Sequence, residues 1–247
     1  MKICDRVHIV ASGEAGFSIS NPYDCTVYLI DGHTECALID AGAGINPEEI
    51  LRHIAEAGIK PEKITKILLT HGHGDHSGGA YALSRACSAE VYAMEAAAAY
   101  VSEGNTKALS LSEAIKAGVY GKDYQYHACP VRPIRDRDII QVGDLMLQAL
   151  STDGHCSGHA CYLMEADGKK YLFSGDSIFF GGKISLQAIW DCDLMKYVKT
   201  IERLEEIHPD VFLPSHGCIS LSRGWIHIDK AAAVIKKLGI PQNVIGD

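Results

Sequence analysis

The sequence predicts an α/β fold in two similar halves, and three observations carry that expectation. Short apolar, β-branched runs alternate with stretches that bear helix start and stop signals, as strands and helices do when taken in turn. Several of the apolar runs end in a Gly-containing turn that delivers a His or an Asp, and such strand ends are where a rigid scaffold holds functional side chains. A chain of 247 residues, 47% of them hydrophobic, provides the core for a two-sheet architecture in one domain over 1–247.

In chain order, Val7-His8-Ile9-Val10 is strand-like, as are Cys25 to Ile30 and Ala37 to Asp40. After Gly42-Ala43-Gly44 comes a helix with Asn46 as N-cap, Pro47 at N1, Glu48 and Glu49 in the first turn, Ile50, Ile54 and Ala57 on one face, and Gly58 as the stop. Ile64 to Thr70 reads as a buried strand, and Tyr81 to Cys87 as the helix that follows the next loop. The second half repeats the theme. Leu145–Leu150, Lys170–Phe173 and Val211–Leu213 are strands, Asp193 caps a helix through Tyr197, Ile201, Leu204 and Ile207, and a last helix lies around Ala231 to Leu238. Between the halves, a helical insert from about Met94 to Arg137 breaks the pattern. It opens with Glu95 to Val101, continues through Ser110 to Ile115, and ends in Tyr120, Tyr124, Tyr126 and His127. It reads either as a spacer on the outer face or as a wall of a substrate pocket, with Tyr124 and Tyr126 as the contacts, since tyrosines offer apolar faces with polar tips.

The densest chemistry lies in Thr70-His71-Gly72-His73-Gly74-Asp75-His76. Imidazole nitrogens and carboxylate oxygens are the donors that zinc and similar ions take, and glycine spacers let neighbouring side chains face different ions. Three further turns each bring one such group: Gly154-His155, Gly175-Asp176 and Ser215-His216-Gly217. Singly these are weak signals, because a lone His or Asp in a turn more often serves the turn itself. As an ordered set of seven they are too many for one ion, and they point to two.

The order H-x-H-x-D-H, Gly-His, Gly-Asp, Ser-His-Gly resembles the metallo-β-lactamase superfamily of hydrolases along nearly the whole chain. The resemblance implies an αββα sandwich with the metals at one edge of two sheets. It implies that His71, His73 and His155 hold one ion, that Asp75, His76 and His216 hold the second, and that Asp176 bridges them, with Asp75 and Asp176 as the catalytic carboxylates. It also implies a metal-bridging hydroxide as nucleophile, because bound water falls in pKa from about 15.7 to roughly 7. Zinc is the expected metal, with iron or manganese as alternatives. Phe173 to Gly182 is similar to the glyoxalase II segment after the bridging Asp, although the helical region that binds glutathione has no clear counterpart after His216. The expected substrate is therefore a small thioester, lactone or ester, with Lys183 placed to meet an anionic part. His76 and Asp176 give a hydrolase-type pattern, so antibiotic hydrolysis is not expected. A phosphodiesterase or nuclease of the same fold is the alternative reading.

Composition narrows the partners. A formal net charge of −8 offers no basic surface for phosphate backbones, so nucleic acid is not expected. No stretch reaches the roughly 18 apolar residues of a spanning helix, and Met1 to Arg6 do not resemble a signal peptide. Nine cysteines, an odd number without a C-x-x-C pair, argue for a reducing, cytoplasmic setting. Cys156 and Cys218 follow ligand positions closely enough to approach a metal, although small buried thiols are the ordinary reading. His8, His33, His53, His208 and His227 have no motif context, whereas His159, four residues past His155, is placed to support a ligand. A homo-oligomer is left open.

Overall fold

Strands that are apolar on both faces must be covered on both faces, and that requirement organises this molecule. The structure, a computed structural model, describes residues 1–244. Strands β1 (Val7–Ala11), β2 (Val27–Asp31), β3 (Cys36–Ile39), β4 (Ile64–Leu68), β5 (Glu90–Met94) and β6 (Val131–Ile134) lie in that order in one sheet. The pairs from β1 to β3 are antiparallel, and those from β3 to β6 are parallel. Strands β7 (Ile139–Val142), β8 (Leu145–Ser151), β9 (Ala160–Ala166), β10 (Lys169–Gly175) and β11 (Val211–Pro214) form a second sheet, antiparallel except for β10 with β11.

Alternation along each strand sorts the apolar residues into layers. Val7, Ile9, Tyr28, Ile30, Ala37 and Ile39 of the first sheet face Leu147, Tyr162, Met164, Phe173 and Leu213 of the second. The opposite face of the first sheet, with Val27, Leu29 and Leu38, is covered by α1 (Pro47–Glu56), α3 (Ala80–Cys87) and α4 (Glu95–Glu103). Leu150, Cys161, Leu172 and Phe212 of the second sheet are covered by α6 (Leu194–Glu205) and α7 (Trp225–Ile235). Two short helices, α2 (Gly74–Ser77) and α5 (Leu111–Lys116), complete the set among the described residues. The result is the αββα sandwich. None of the helices is long and apolar enough to cross a membrane.

Helix α6 starts where the sequence places it, with Asp193 accepting from the amides of Met195 at 2.8 Å and Lys196 at 3.1 Å. Helix α1 starts at Pro47 as expected, but the Asn46 side chain makes no cap bond to the helix backbone; its Nδ2 donates to Glu49 Oε2 at 3.2 Å. The last helix begins at Trp225, earlier than Ala231, because His227 and Ile228 are already buried and the amide of Trp225 is held by the Pro209 carbonyl. It stops before Leu238, which is 97% exposed with φ 59. The segment from 94 to 137 is not helical throughout: after α4 and α5 it supplies β6, the edge of the first sheet. Pro133 hides that strand in the sequence, and an edge is where a sheet tolerates proline. Strand β9 is apolar without a break from Ala160 to Met164 and buried at five of its seven residues, so it lacks the alternation that would announce it.

Glu35 joins the two sheets. Its carboxylate accepts from Thr65 Oγ1 at 2.6 Å, from Lys66 Nζ at 2.9 Å, and from the amide of Gly143 in the β7–β8 turn at 2.8 Å. Partial burial pushes its pKa up, but the bonds from Thr65, Gly143 and Lys66 outweigh that and hold it down to about 2. Glu35→Ala is expected to lower stability by about 1–3 kcal/mol at neutral pH, the scale of a hydrogen bond to a charged group. The folded pKa lies below the unfolded value of about 4.3, so this contribution is complete above that value and is lost as pH falls through the folded pKa. Denaturant melts of the two proteins across acidic pH should therefore converge near pH 2.

Candidate metal centre

The strands β3 and β4 of one sheet, and β8, β10 and β11 of the other, end at the same edge of the sandwich. Four cross-sheet bonds tie that edge together: Ala160 N–H to the Thr70 carbonyl at 2.7 Å, Thr26 N–H to the Ser215 carbonyl at 2.7 Å, and the hydroxyls of Tyr162 and Tyr28 to the carbonyls of Leu69 and Pro214. His71 to His76 follow β4, His155 lies in the β8–β9 loop, Asp176 follows β10 and His216 follows β11. A Cβ at Gly72 would lie 2.6 Å from Leu109 Cδ2, so a side chain there would push on the end of Leu109.

All seven residues converge. His71, His73 and His155 form one group, with Cys156 beside them, and Asp75, His76 and His216 form another. Within the first, His155 Nε2 is 3.1 Å from His73 Nδ1. Within the second, Asp75 Oδ2 is 3.1 Å from His216 Nε2 and 3.3 Å from His76 Nε2. Asp176 stands between them: Oδ1 is 3.6 Å from His76 Nε2 and 3.7 Å from His216 Nε2, while Oδ2 is 3.7 Å from His155 Nε2.

The donor set fits divalent ions. His71 Nε2 and Asp176 Oδ1 are buried without a hydrogen-bond partner, a costly state for strong acceptors that cations at the two groups would relieve. Burial, reinforced by neighbouring imidazoles, pushes His71 far down, His73 down to about 3 and His155 to about 4, so these rings are neutral and keep a lone pair for a metal. Burial also works against protonation of His76 and His216, but nearby groups outweigh it, Cys25, Asp75, Asp40 and Asp176 for the former and Asp176 and Asp75 for the latter. The same pairing holds the Asp75 carboxyl well below its ordinary value.

Supporting residues aim these rings, and most escape a reading of motifs. Asp40, fully buried with φ 64, has Oδ2 2.9 Å from His76 Nδ1 and Oδ1 accepting from the Thr70 amide at 2.7 Å. Thr70 and Ser215 hydroxyls also donate to it. Its only sequence signal is an Asp at the end of a strand before a Gly-rich turn. His155 Nδ1 donates to the Ser185 carbonyl at 3.0 Å, which turns Nε2 toward the centre. His159 plays the supporting part: Nε2 accepts from the Asp176 amide at 3.0 Å, and Nδ1 faces Thr152 Oγ1 at 2.8 Å. Gly175 beside it has φ 52, and a Cβ there would lie 2.6 Å from His159 Nε2. Ser77 and Ser174 donate to backbone carbonyls, so neither hydroxyl is poised as a nucleophile.

Two cavities of about 570 and 590 Å³ open over the centre, sharing His73, Asp75 and His216. Lys183 and the exposed Cys218 line the first; Cys156 is buried beside the imidazoles. The expected contacts Tyr124 and Tyr126 line neither cavity. The Tyr124 hydroxyl donates to the Ala43 carbonyl at 2.8 Å and that of Tyr126 meets Ser77 Oγ at 2.9 Å, so partners between β3 and α1 and in α2 satisfy both tips. The insert reaches the second cavity through Leu109, Leu111, Val119 and Tyr120 instead. Tyr124→Phe and Tyr126→Phe are each expected to cost about 1 kcal/mol in denaturant melts while leaving KM near that of the parent.

Comparison with known proteins follows the same lines. Residues 20–216 match the family model described as Metallo-beta-lactamase superfamily. The chain is 29% identical over 194 residues to the acyl-coenzyme A thioesterase MBLAC2 of Homo sapiens, covering 73% of this chain and 67% of that protein. It is 27% identical over 192 residues to an atrochrysone carboxyl ACP thioesterase of Emericella nidulans, covering 77% of this chain but only 50% of that protein. Among solved structures, a metallo-beta-lactamase of Cronobacter sakazakii with a HARLDQ motif superposes with TM-score 0.74 at 20% identity over 96% of both chains. The subclass B3 metallo-beta-lactamase BJP-1 of Bradyrhizobium japonicum does so with TM-score 0.69 at 21% identity, over 89% of this chain and 88% of that one. At these identities the structural matches speak for the fold.

Proposed function

This chain belongs to the metallo-beta-lactamase superfamily, and from that premise we propose that it hydrolyses small-molecule thioesters at a two-metal centre. The observation that carries the two-metal reading is Asp176, whose two oxygens face separate imidazole groups at 3.6–3.7 Å. His71, His73 and His155 would hold one ion, Asp75, His76 and His216 the other, and Asp176 would touch both. Divalent ions, zinc first and iron or manganese as alternatives, supply Lewis acidity and make water nucleophilic at neutral pH.

The chain's own residues do the rest. Asp75 lines both cavities and is held ionised, so it accepts a hydrogen bond from the attacking water and orients it. Asp40, Ser185 and His159 keep ligand orientations fixed, so little reorganisation accompanies the reaction. Water adds its oxygen to the acyl carbon, the C–S bond breaks, and the products are a carboxylic acid and the thiol. Lys183 lines the first cavity and would meet an anionic part of the substrate. The thioester assignment draws support from the two thioesterases among the relatives; a thioester needs no protonation of its leaving group as strong as an amide does.

The test is a panel of thioesters, lactones, esters and a phosphodiester with the metal-loaded protein. Thioesters should give the highest kcat/KM. A phosphodiester hydrolysed faster than every thioester would replace this reading with the nuclease-type alternative.

A further inference from the structure

The two cavities over the centre are arms of one site, since Ala15, His73, Asp75, Gln187 and His216 border both. The arms differ in character. One is bordered by Phe179, Phe180, Val244 and the cation Lys183, with the Asp176 carboxylate of the metal centre at its inner end. The other is bordered by Leu109, Leu111, Val119, Tyr120, Leu186 and Ile189, and the charged side chains on its walls away from the shared floor, Asp24 and Glu113, are acidic. An apolar group gains by leaving water for such walls, whereas an anion is drawn to Lys183 and repelled by Glu113.

The second arm is a built feature. Trp190 Nε1 donates to the Ala108 carbonyl at 3.2 Å, which ties the segment carrying Leu186 and Ile189 to the segment carrying Leu109 and Leu111. Trp190 also meets Tyr100 edge-on, at 6.2 Å between ring centroids. Tyr120 is fixed from two sides, by Tyr23 at 5.5 Å and by the stacked Tyr124 at 4.5 Å. The tyrosine that the sequence offers as a pocket wall, Tyr124, thus acts one step back, behind Tyr120.

We infer that the two arms divide the substrate at its thioester bond: an apolar acyl chain lies along Leu109, Leu111, Val119, Tyr120, Leu186 and Ile189, and an anionic thiol portion lies beside Lys183. This rests on the thioesterase reading above and narrows it to apolar acyl esters of anionic thiols. The reacting carbon then sits where the arms join, over His73, Asp75 and His216.

The experiment measures kcat/KM for straight-chain acyl groups from acetyl to dodecanoyl on three thiols. Coenzyme A carries phosphates, glutathione carries carboxylates, and N-acetylcysteamine is neutral. In the parent protein, kcat/KM should rise with chain length, and both anionic thiols, or one of them, should exceed the neutral one; which one leads identifies the anion. Ala117→Trp and Leu186→Trp narrow the apolar arm from two segments, the first at an exposed position that leaves the core untouched. Each should lower the long-to-short acyl ratio by about tenfold or more, with the thiol ratio held. Lys183→Ala should lower the anionic-to-neutral ratio by about tenfold, with the acyl ratio held. Ratios that stay within twofold in these variants, or that move in the opposite pairing, overturn the division. Calorimetric binding of decanoate provides a readout without turnover. If no thioester is hydrolysed, the thioesterase reading fails on its own. Weaker decanoate binding in the two Trp variants would then still support the apolar arm, and unchanged binding would overturn it.

Discussion

Chelation is expected to abolish hydrolysis, and two equivalents of zinc per chain to restore it. Seven donors from four strand ends converge here, and one tetrahedral or five-coordinate ion uses at most five. Asp176 has an oxygen toward each group, so two ions would share it, whereas a single ion in either group would leave the other set of buried donors unsatisfied. Elemental analysis of protein purified without chelator should give two divalent ions per chain. Asp75→Ala should reduce that to one, because it removes a carboxylate from the second group while leaving His71, His73 and His155 intact. Asp176→Ala should lower kcat far more than Ser174→Ala, whose hydroxyl serves the Ile178 carbonyl. One ion at saturation in the parent protein, with Asp75→Ala neutral for binding, would sink the two-metal reading.

Asp40→Ala should be the most damaging single change outside the ligands. Asp40 is fully buried and serves His76 Nδ1, the Thr70 amide, and the hydroxyls of Thr70 and Ser215. Removing it leaves those donors in the interior without acceptors, and breaking a buried charged pair of this kind costs about 3–5 kcal/mol. It also frees the His76 ring to turn, and loss of such support typically lowers metal affinity by 10–100-fold. Denaturant melts and competitive zinc titration would measure the two effects separately. Asp40→Asn keeps an acceptor for the Thr70 amide, so it should recover part of the stability but less of the affinity. A melt of Asp40→Ala within 1 kcal/mol of the parent would show that water or a shift of Thr70 replaces the carboxylate.

The two effects separate what local pattern carries from what only packing supplies. The dense run His71 to His76 is readable because its ligands are neighbours in the chain, and the glycines beside them report the turn they need. His155, Asp176 and His216 each end a strand, so the rule that strand ends carry function brings them into the same set. Helices α1 and α6 are equally plain, since Pro47 with Glu48 and Glu49, and Asp193 with the spacing of Tyr197, Ile201 and Leu204, are local signals of a start and a buried face.

Other features depend on partners far along the chain. Asp40 acts through a ring 36 positions away and a hydroxyl 175 away, so nothing near it marks it as more than the end of a strand. Strand β6 contains a proline and gains its place by lying against β5, and β9 loses its alternation because both of its faces are covered. Tyr124 and Tyr126 show the same limit from the other side. Their amphipathic character suits a pocket wall or an inward hydrogen bond equally, and only the positions of Ala43 and Ser77 decide for the latter. The sequence by itself carried the α/β class and, with its resemblance to the superfamily, seven candidate donors, because periodicity and spacing are properties of the chain. Tertiary structure alone decided which side chains aim those donors and which line the two arms of the cavity, because both depend on distances between residues that the chain does not bring together until it folds.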